Sequence, residues 1–496
     1  MRFKITLCAL FLFIGFYTKS QNYITIPDAN FVAWLNINYP TCMNGNQMDT
    51  TCYSIKHADN LILPNQNISD LTGIQYFTQI KFLDCSYNNL TNIPELPNFL
   101  EQILCSFNQL TSLPVLPNSI QRITCDNNQL TSIPSLPDSL INLDCKFNQV
   151  TCLPILPNSL WFLECNKNRL TSLPVLPSFL QTLDCSDNQL TSLPEIPGTL
   201  ISLECAHNQL TNLPSLPIHL QSLGCYYNQL TSLPELPDSL YGLWCYYNQL
   251  INIPALPDFI NIISCFNNQL TCLPTLPVNL RYLLCSNNLM TSLPELPNSL
   301  SKLECFNNQL TSLPVLPNSL KYLYCFNNTL TSLPVLPNSL ITLNCCNNNI
   351  SCFPVFPNSI ALGLFNIANN PFTCLPNYIN AMDATTLLTP LCTQGDSVNN
   401  PNGCIGTTFI ENHFLAFQTT LFPNPTPNYI TIEKPNTTTK TFTLSLTNIQ
   451  GQLLLSEKVE IEKTHTLDLS KFPNGIYFLR LQNEKENYIH KVLIQR

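Results

Sequence analysis

The sequence predicts a solenoid of stacked twenty-residue turns followed by a small all-β sandwich. Three observations carry this. Every twentieth residue from Cys85 to Cys345 is a cysteine, fourteen in all, and an asparagine follows each three residues later, from Asn88 to Asn348. A period this strict marks one backbone turn repeated and stacked on itself. Each turn also carries two prolines, and from residue 411 onward the prolines thin out and apolar residues alternate in short runs.

Within one turn the elements follow in order. Ile103 and Cys105 alternate with outward-pointing neighbours, the pattern of a half-buried strand. Leu100, Leu110, Leu113 and Leu116 supply further inward positions. Asn108 opens the corner after the strand, where its amide can bond backbone groups of its own and the next turn. Pro114 and Pro117 fix φ near −65° and donate no hydrogen bond, which suits an extended, polyproline-like return leg on the convex side. No segment of the unit has a helical period.

The pattern L-x-x-[LI]-x-C-x-x-N-x-L-T-x-L-P-x-L-P resembles the short bacterial leucine-rich repeat. It is similar to the repeats of secreted enterobacterial effectors, with cysteine in place of a small aliphatic residue. The resemblance covers residues 80–376 and implies a curved parallel sheet on the concave side. A degenerate turn over 365–376 places Asn370 at the asparagine position. Fifteen turns at strand spacing make a body about 70 Å long.

The ends differ from the repeat. Arg2 and Lys4, an apolar stretch over 5–16, and the small residues Thr18 and Ser20 before Gln21 read as a signal peptide over 1–20. The stretch is too short to span a bilayer, and no other segment is long and apolar enough to do so. Residues 21–79 read as an N-terminal cap, with a short capped helix over 26–35. Asn44 to Asp49 lacks the spaced acids of a calcium loop and reads as a plain loop. Residues 377–410 are expected to close the other end.

Residues 411–496 carry alternating runs at 429–432, 442–446, 453–459, 464–469, 476–481 and 488–494, the spacing of a small β-sandwich. Four landmarks stand in order here: Phe422, Pro423, Asn424 and Pro425; Asn448 to Gln452 with Gly451; Asn474 to Phe478 with Gly475; and Lys491 to Ile494. They resemble the type A C-terminal sorting domain of type IX secretion. That resemblance implies a Bacteroidota source, passage across the outer membrane, and removal of the domain with release or surface attachment.

Twenty-four cysteines in a secreted chain suggest disulfides. The fourteen in register argue otherwise: parallel strands point these side chains the same way, a poor arrangement for the dihedral of a disulfide. They read as a column of small buried hydrophobes. Cys42 and Cys52 are a plausible bridge, and two of Cys374, Cys392 and Cys404 are expected to staple the C-terminal cap. Cys152, Cys272, Cys352 and Cys346 read as incidental.

Residues flanking each column cysteine should line the concave face. Before the cysteine, Asp144, Glu164, Asp184 and Glu204 form an acidic stripe, with Lys146 and Lys167 nearby. Stacked like charges repel by roughly 1 kcal/mol per solvated pair. The stripe is either tolerated because it is wet or meets a cation or a basic partner. In the C-terminal half the face turns aromatic, with Tyr226, Tyr241, Trp244, Tyr246, Phe266, Tyr282, Tyr322 and Tyr324. An exposed aromatic patch suggests a surface for a protein or a glycan. Rings two residues after the cysteine, such as Tyr227 and Tyr247, could instead turn into the corner and pack.

A net charge of −9 argues against nucleic acid, and six scattered histidines leave little for metal or acid–base chemistry. No catalytic or phosphate-loop motif is present. The sequence therefore points to a secreted or surface-displayed binding protein, a monomer without metal or cofactor. A structural envelope protein is the alternative, and an effector enzyme a weaker one, since the sorting domain stands where such effectors carry their catalytic domain.

Overall fold

A computed structural model describes residues 22–362, 364–394, 396, 398–400, 402–404, 420–433, 440–448, 452–483 and 487–496. The signal segment over 1–20 and Gly451 lie outside the described residues. The chain divides into two compact units, 1–406 and 407–496.

The first unit is a leucine-rich repeat solenoid. Its sheet has sixteen parallel strands in unbroken chain order, from Asn60–Ile62 to Phe365–Asn366. Each regular strand is three residues long, as in Thr182–Asp184 and Ser202–Glu204, which pair Leu183 with Leu203 and Asp184 with Glu204. Register therefore advances by one repeat per strand, and equivalent side chains stack in columns. The middle strand residue, the cysteine and the leucines before and after point inward: Leu100, Ile103, Cys105 and Leu110 are buried. One turn cannot enclose these groups, so neighbouring turns must cover them. The return leg has neither helix nor named strand; a backbone bond closes its end, as from Leu100 N to the Pro97 carbonyl at 3.2 Å, and side chains tie it to the neighbouring turn. Ser119 Oγ donates to the Asn98 and Leu100 carbonyls one turn back, at 2.9 and 2.7 Å.

The corner after each strand depends on the asparagine. Asn108 Nδ2 donates to the carbonyls of Cys105 in its own turn and Cys85 in the preceding one, at 3.2 and 3.0 Å. Its Oδ1 accepts from the Leu90 amide at 2.9 Å. The amide thus reaches back to the preceding turn, where the sequence suggested the next. The residue just before it takes a left-handed conformation in every regular turn, with φ of 55° at Tyr87 and 54° at Phe107. Tyrosine and phenylalanine rarely adopt this region. Here the bend and its hydrogen bonds over-determine it, as with Phe107 N to the Asp126 carbonyl at 3.0 Å.

All fourteen column cysteines are buried and unbridged. Burial pushes their thiols well above the ordinary range, with like neighbours adding to the effect. Among the described residues three disulfides lie elsewhere. Cys42–Cys52 and Cys374–Cys392 agree with the sequence reading. Cys404 pairs with Cys352, a correction to the reading of Cys352 as incidental. The corner that is solvent-exposed at Cys152 and Cys272 faces the cap at the last turns, so Cys352 is within reach of Cys404.

The N-terminal segment holds the expected helix, Ala29–Asn38, capped by Asp28. Asp28 Oδ1 accepts from the Asn30 and Phe31 amides, and Oδ2 accepts from Ser69 N and Oγ, which ties the cap to the first turns. Met43–Asn44 and Gln47–Asp49 pair as a hairpin, so the stretch read as a loop is ordered as strands, with Gly45 at φ 66° in its turn. The sheet's first strand also lies within the segment assigned to the cap. The second unit has a three-stranded and a four-stranded antiparallel sheet around its own core, including Ile430, Phe442, Leu446 and Leu479. Among the described residues it has one strand more than the sequence runs suggested, Thr420–Phe422. Among the described residues no helix is long and apolar enough to cross a membrane.

Asn228→Ala would leave the Cys205 and Cys225 carbonyls and the Leu210 amide without their side-chain partner. Chemical denaturation should show a loss of about 2–3 kcal/mol, against little change for the exposed Gln229→Ala. In the native chain a maleimide should label Cys152 and Cys272 rapidly and Cys346 slowly. The fourteen column thiols should react only once the chain is denatured.

Candidate functional site

Strict register makes the concave face a set of columns. The residues three and one before the cysteine, and the one after it, stand on the side opposite the buried leucines. What a column holds is then set by one residue per turn.

The acidic stripe falls into two halves. Lys146 Nζ lies 2.9 Å from Asp144 and 2.5 Å from Glu164, bridging the first two acids. No ion pair reaches Asp184 or Glu204 among the described residues. Burial pushes the Asp184 carboxyl up despite hydrogen bonds from Ser186. Burial, with Asp184 beside it, raises the Glu204 carboxyl to about 7. Gly224 follows in the same column, and a Cβ there would collide with the Glu204 carboxylate. Glu204 therefore leans across the space that glycine leaves open. Gly242, on the next strand, makes room in the same way: the Trp244 indole lies over it. Both glycines are needed for room, not for their backbone angles.

Beside these residues stand two ladders of rings. Tyr226, Tyr246 and Phe266 stack with centroids 4.4 Å apart at each step and planes within 11°. His207, Tyr227 and Tyr247 stack at 4.2 Å in the left-handed corner column. The ladders meet edge to face, as at Tyr227–Tyr246 and Tyr247–Phe266. Offset stacking and edge-to-face contact are the favoured ring geometries, so the block is held rigid before any ligand arrives. Burial and its neighbours push the Tyr246 phenol up to about 12. Tyr227 and Tyr247 do not pack into the corner; they stay 40% and 42% exposed, because the left-handed backbone turns them outward.

Of the aromatic residues singled out by sequence, the structure stacks Tyr226, Tyr246 and Phe266 in one ladder, while Trp244 lies over Gly242 on the same face. Tyr241 precedes its strand and is 56% exposed, off the ladders. Tyr282 opens the Tyr282–Leu284 strand and is exposed. Tyr322 and Tyr324 lie on a later strand, where Lys302 sits 5.9 Å over the Tyr324 ring and 2.7 Å from Glu304. Phe306 and Phe326 stack there as a separate pair.

Sequence reasoning missed the two glycines. It also missed an asparagine ladder running from Asn287 through Asn307, Asn327 and Asn347 to Asn369, each amide donating to the one before at 2.5–2.6 Å. Its signal was present as asparagine recurring at the residue two after the cysteine.

In the second unit Asn424 Oδ1 accepts from the Leu493 amide at 2.8 Å, joining two of the sorting landmarks. Pro423 and Pro425 follow cis peptide bonds. Gly475 opens the Gly475–Gln482 strand, and Lys491 lies on Asn487–Ile494, paired through the backbone with Phe478.

These features define the class: a leucine-rich repeat protein with an interaction fold. YopM, a leucine-rich effector protein from Yersinia pestis, is 35% identical over 64% of this chain and 89% of its own, with a TM-score of 0.57. The chain belongs to this family of leucine-rich repeat proteins. The functional domain of InlJ from Listeria monocytogenes, which includes a cysteine ladder, shares the fold at 21% identity and a TM-score of 0.57, over 96% of this chain and 100% of that one. Residues 420–495 match the secretion system C-terminal sorting domain, which indicates export by type IX secretion. No curated protein matches the chain.

Glu204 supplies a pH test. Its folded-state carboxyl titrates near 7, above its ordinary 4.5, so the folded state holds a proton that the unfolded state releases. Its contribution is complete below about pH 4.5 and is lost as pH rises through 7. Glu204→Gln should therefore raise the denaturation midpoint at pH 8 and leave it nearly unchanged at pH 4.

Proposed function

We propose that the chain is an exported binding protein that holds a protein partner on the concave face around Trp244. The observation that carries this is the ladder of Tyr226, Tyr246 and Phe266, ordered by stacking, with the Trp244 indole seated in the gap at Gly242 on the same face. Rings already fixed lose little freedom on binding, which favours affinity. The stacking also favours a protein over a glycan. Sugars are held against ring faces, and the faces of Tyr246 are both covered by its neighbours, leaving edges and hydroxyls to the groove. Edges and hydroxyls suit a mixed apolar and hydrogen-bonding protein surface. The sorting domain serves as the address, and the solenoid does the binding, acting without catalysis.

The test is a protein and glycan array probed with the full chain. The variant carrying Tyr226→Ala, Trp244→Ala and Tyr246→Ala should lose at least about tenfold in signal on protein spots, with its circular dichroism unchanged. Equal signal from the variant removes this surface as the site, and signal confined to glycans removes the protein reading.

A further inference from the structure

The C-terminal end of the solenoid gathers four sulfurs that stand apart in sequence. Cys352 lies at a corner of the last regular turn, Cys374 in the degenerate turn, and Cys392 and Cys404 in the cap. The sulfurs of Cys374, Cys392 and Cys404 all lie within 4.8 Å of one another, and Cys352 is bonded to Cys404. Among the described residues this is the only place where three histidine, cysteine or carboxylate groups converge so closely. The column cysteines form no such group, because they run in file at strand spacing and a third sulfur is one coil too far.

The convergence does not rest on the bridges alone. The Cys392 amide donates to the Leu375 carbonyl at 2.8 Å, and the Leu375 amide to the Pro390 carbonyl at 2.9 Å, so the chain beside Cys374 is clamped to the chain beside Cys392. Asn400 holds Cys404 in turn. Its Oδ1 accepts from the Cys404 amide at 2.6 Å, and its Nδ2 donates to the carbonyls of Cys404 and Thr393 at 2.8 and 3.2 Å. Cys352 is bridged through its backbone to Ser332 in the corner column. The backbone thus keeps the sulfurs clustered when the bridges are open.

We propose that the reduced chain holds one zinc ion between Cys352, Cys374, Cys392 and Cys404. Four thiolates suit a soft ion of tetrahedral preference and make a closed, structural set. With zinc–sulfur bonds of about 2.3 Å the sulfurs of a tetrahedron stand about 3.8 Å apart, between the bonded and unbonded separations now present. Each pair parts by rotation about its Cα–Cβ bonds, with the Cα atoms 5.3 Å apart for Cys352 and Cys404 and 5.0 Å for Cys374 and Cys392. Cys374 and Cys404 are buried and Cys352 and Cys392 half-buried, which gives the ion a dry seat and a way in. The scattered histidines pointed away from a metal, and these cysteines meet only in the fold.

A chain is synthesised with thiols, so the zinc form precedes the bridged one. Binding to four thiols releases four protons. Two equivalents of an external disulfide oxidant then convert the four thiolates to two bridges. The oxidant accepts four electrons, takes four protons from water and departs as four small thiols, and the zinc leaves. Until then the ion would hold the end of the solenoid closed.

The test uses the full-length chain, reduced with a phosphine under argon, freed of reductant and given zinc. After gel filtration, elemental analysis should find about one zinc per chain. The four cap thiols should react with maleimide at least about tenfold more slowly than in the zinc-free reduced chain, as mapped by mass spectrometry, while Cys152 and Cys272 label alike in both. Cobalt in place of zinc should give the intense visible bands of a tetrahedral thiolate site. Cys374→Ser and Cys392→Ser should each lower zinc retention at least about tenfold with the circular dichroism of the solenoid unchanged, and Cys42→Ser should leave retention as it is. Zinc retained undiminished in the first two variants belongs to other thiols and overturns the site. No zinc retained, with the cap thiols labelled equally fast with and without it, also overturns it, and so does a cap that opens on reduction and is not closed again by the ion.

Discussion

The solenoid rests on one side chain per turn, the asparagine three residues after the cysteine. A chain that bends after a three-residue strand leaves carbonyls pointing into an apolar interior, and a buried carbonyl without a donor costs about 1–3 kcal/mol. Asn108, Asn148 and Asn228 each answer two such carbonyls and one amide across two turns. Only an amide has donor and acceptor at the right reach. The same bond also fixes the register of each turn on its predecessor, and Asn370 makes it even across the longer last turn.

Fixed spacing has a second effect. Like residues meet like, column by column. For rings that is favourable, and two ladders result. For amides it yields a chain of side-chain hydrogen bonds. For carboxylates it is costly, and the structure eases the cost differently along the stripe: a lysine in one half, a glycine-made gap in the other. The distinctive region of the face is thus where the columns change content, at Gly224, Gly242 and Ala206.

Much of this was legible from spacing alone. The period identified strand, corner and return leg, the inward cysteines, and the face to which Tyr226, Trp244 and Tyr246 belong. Contacts between columns were not. Gly242 under Trp244 and Gly224 under Glu204 require knowing which way a side chain leans, and a period of twenty does not specify that. The outward turn of Tyr227 follows from a left-handed backbone that tyrosine alone would not suggest. Cys352 looked like one of three stray replacements, because its partner Cys404 lies 52 residues on, in a cap without periodicity.

The row of hidden sulfurs has a consequence for the chain's exposure to oxidants. Fourteen thiols in file are inert only while each is roofed by the next coil. A single sulfenic acid would place an oxygen in a dry interior and loosen both adjoining layers, uncovering the sulfurs above and below. Damage would then spread along the rod like an unfastened zip, so a long exposed life depends on the two ends staying closed. That gives the three bridges flanking the file, at the head and at the tail, a protective office beyond their own loops.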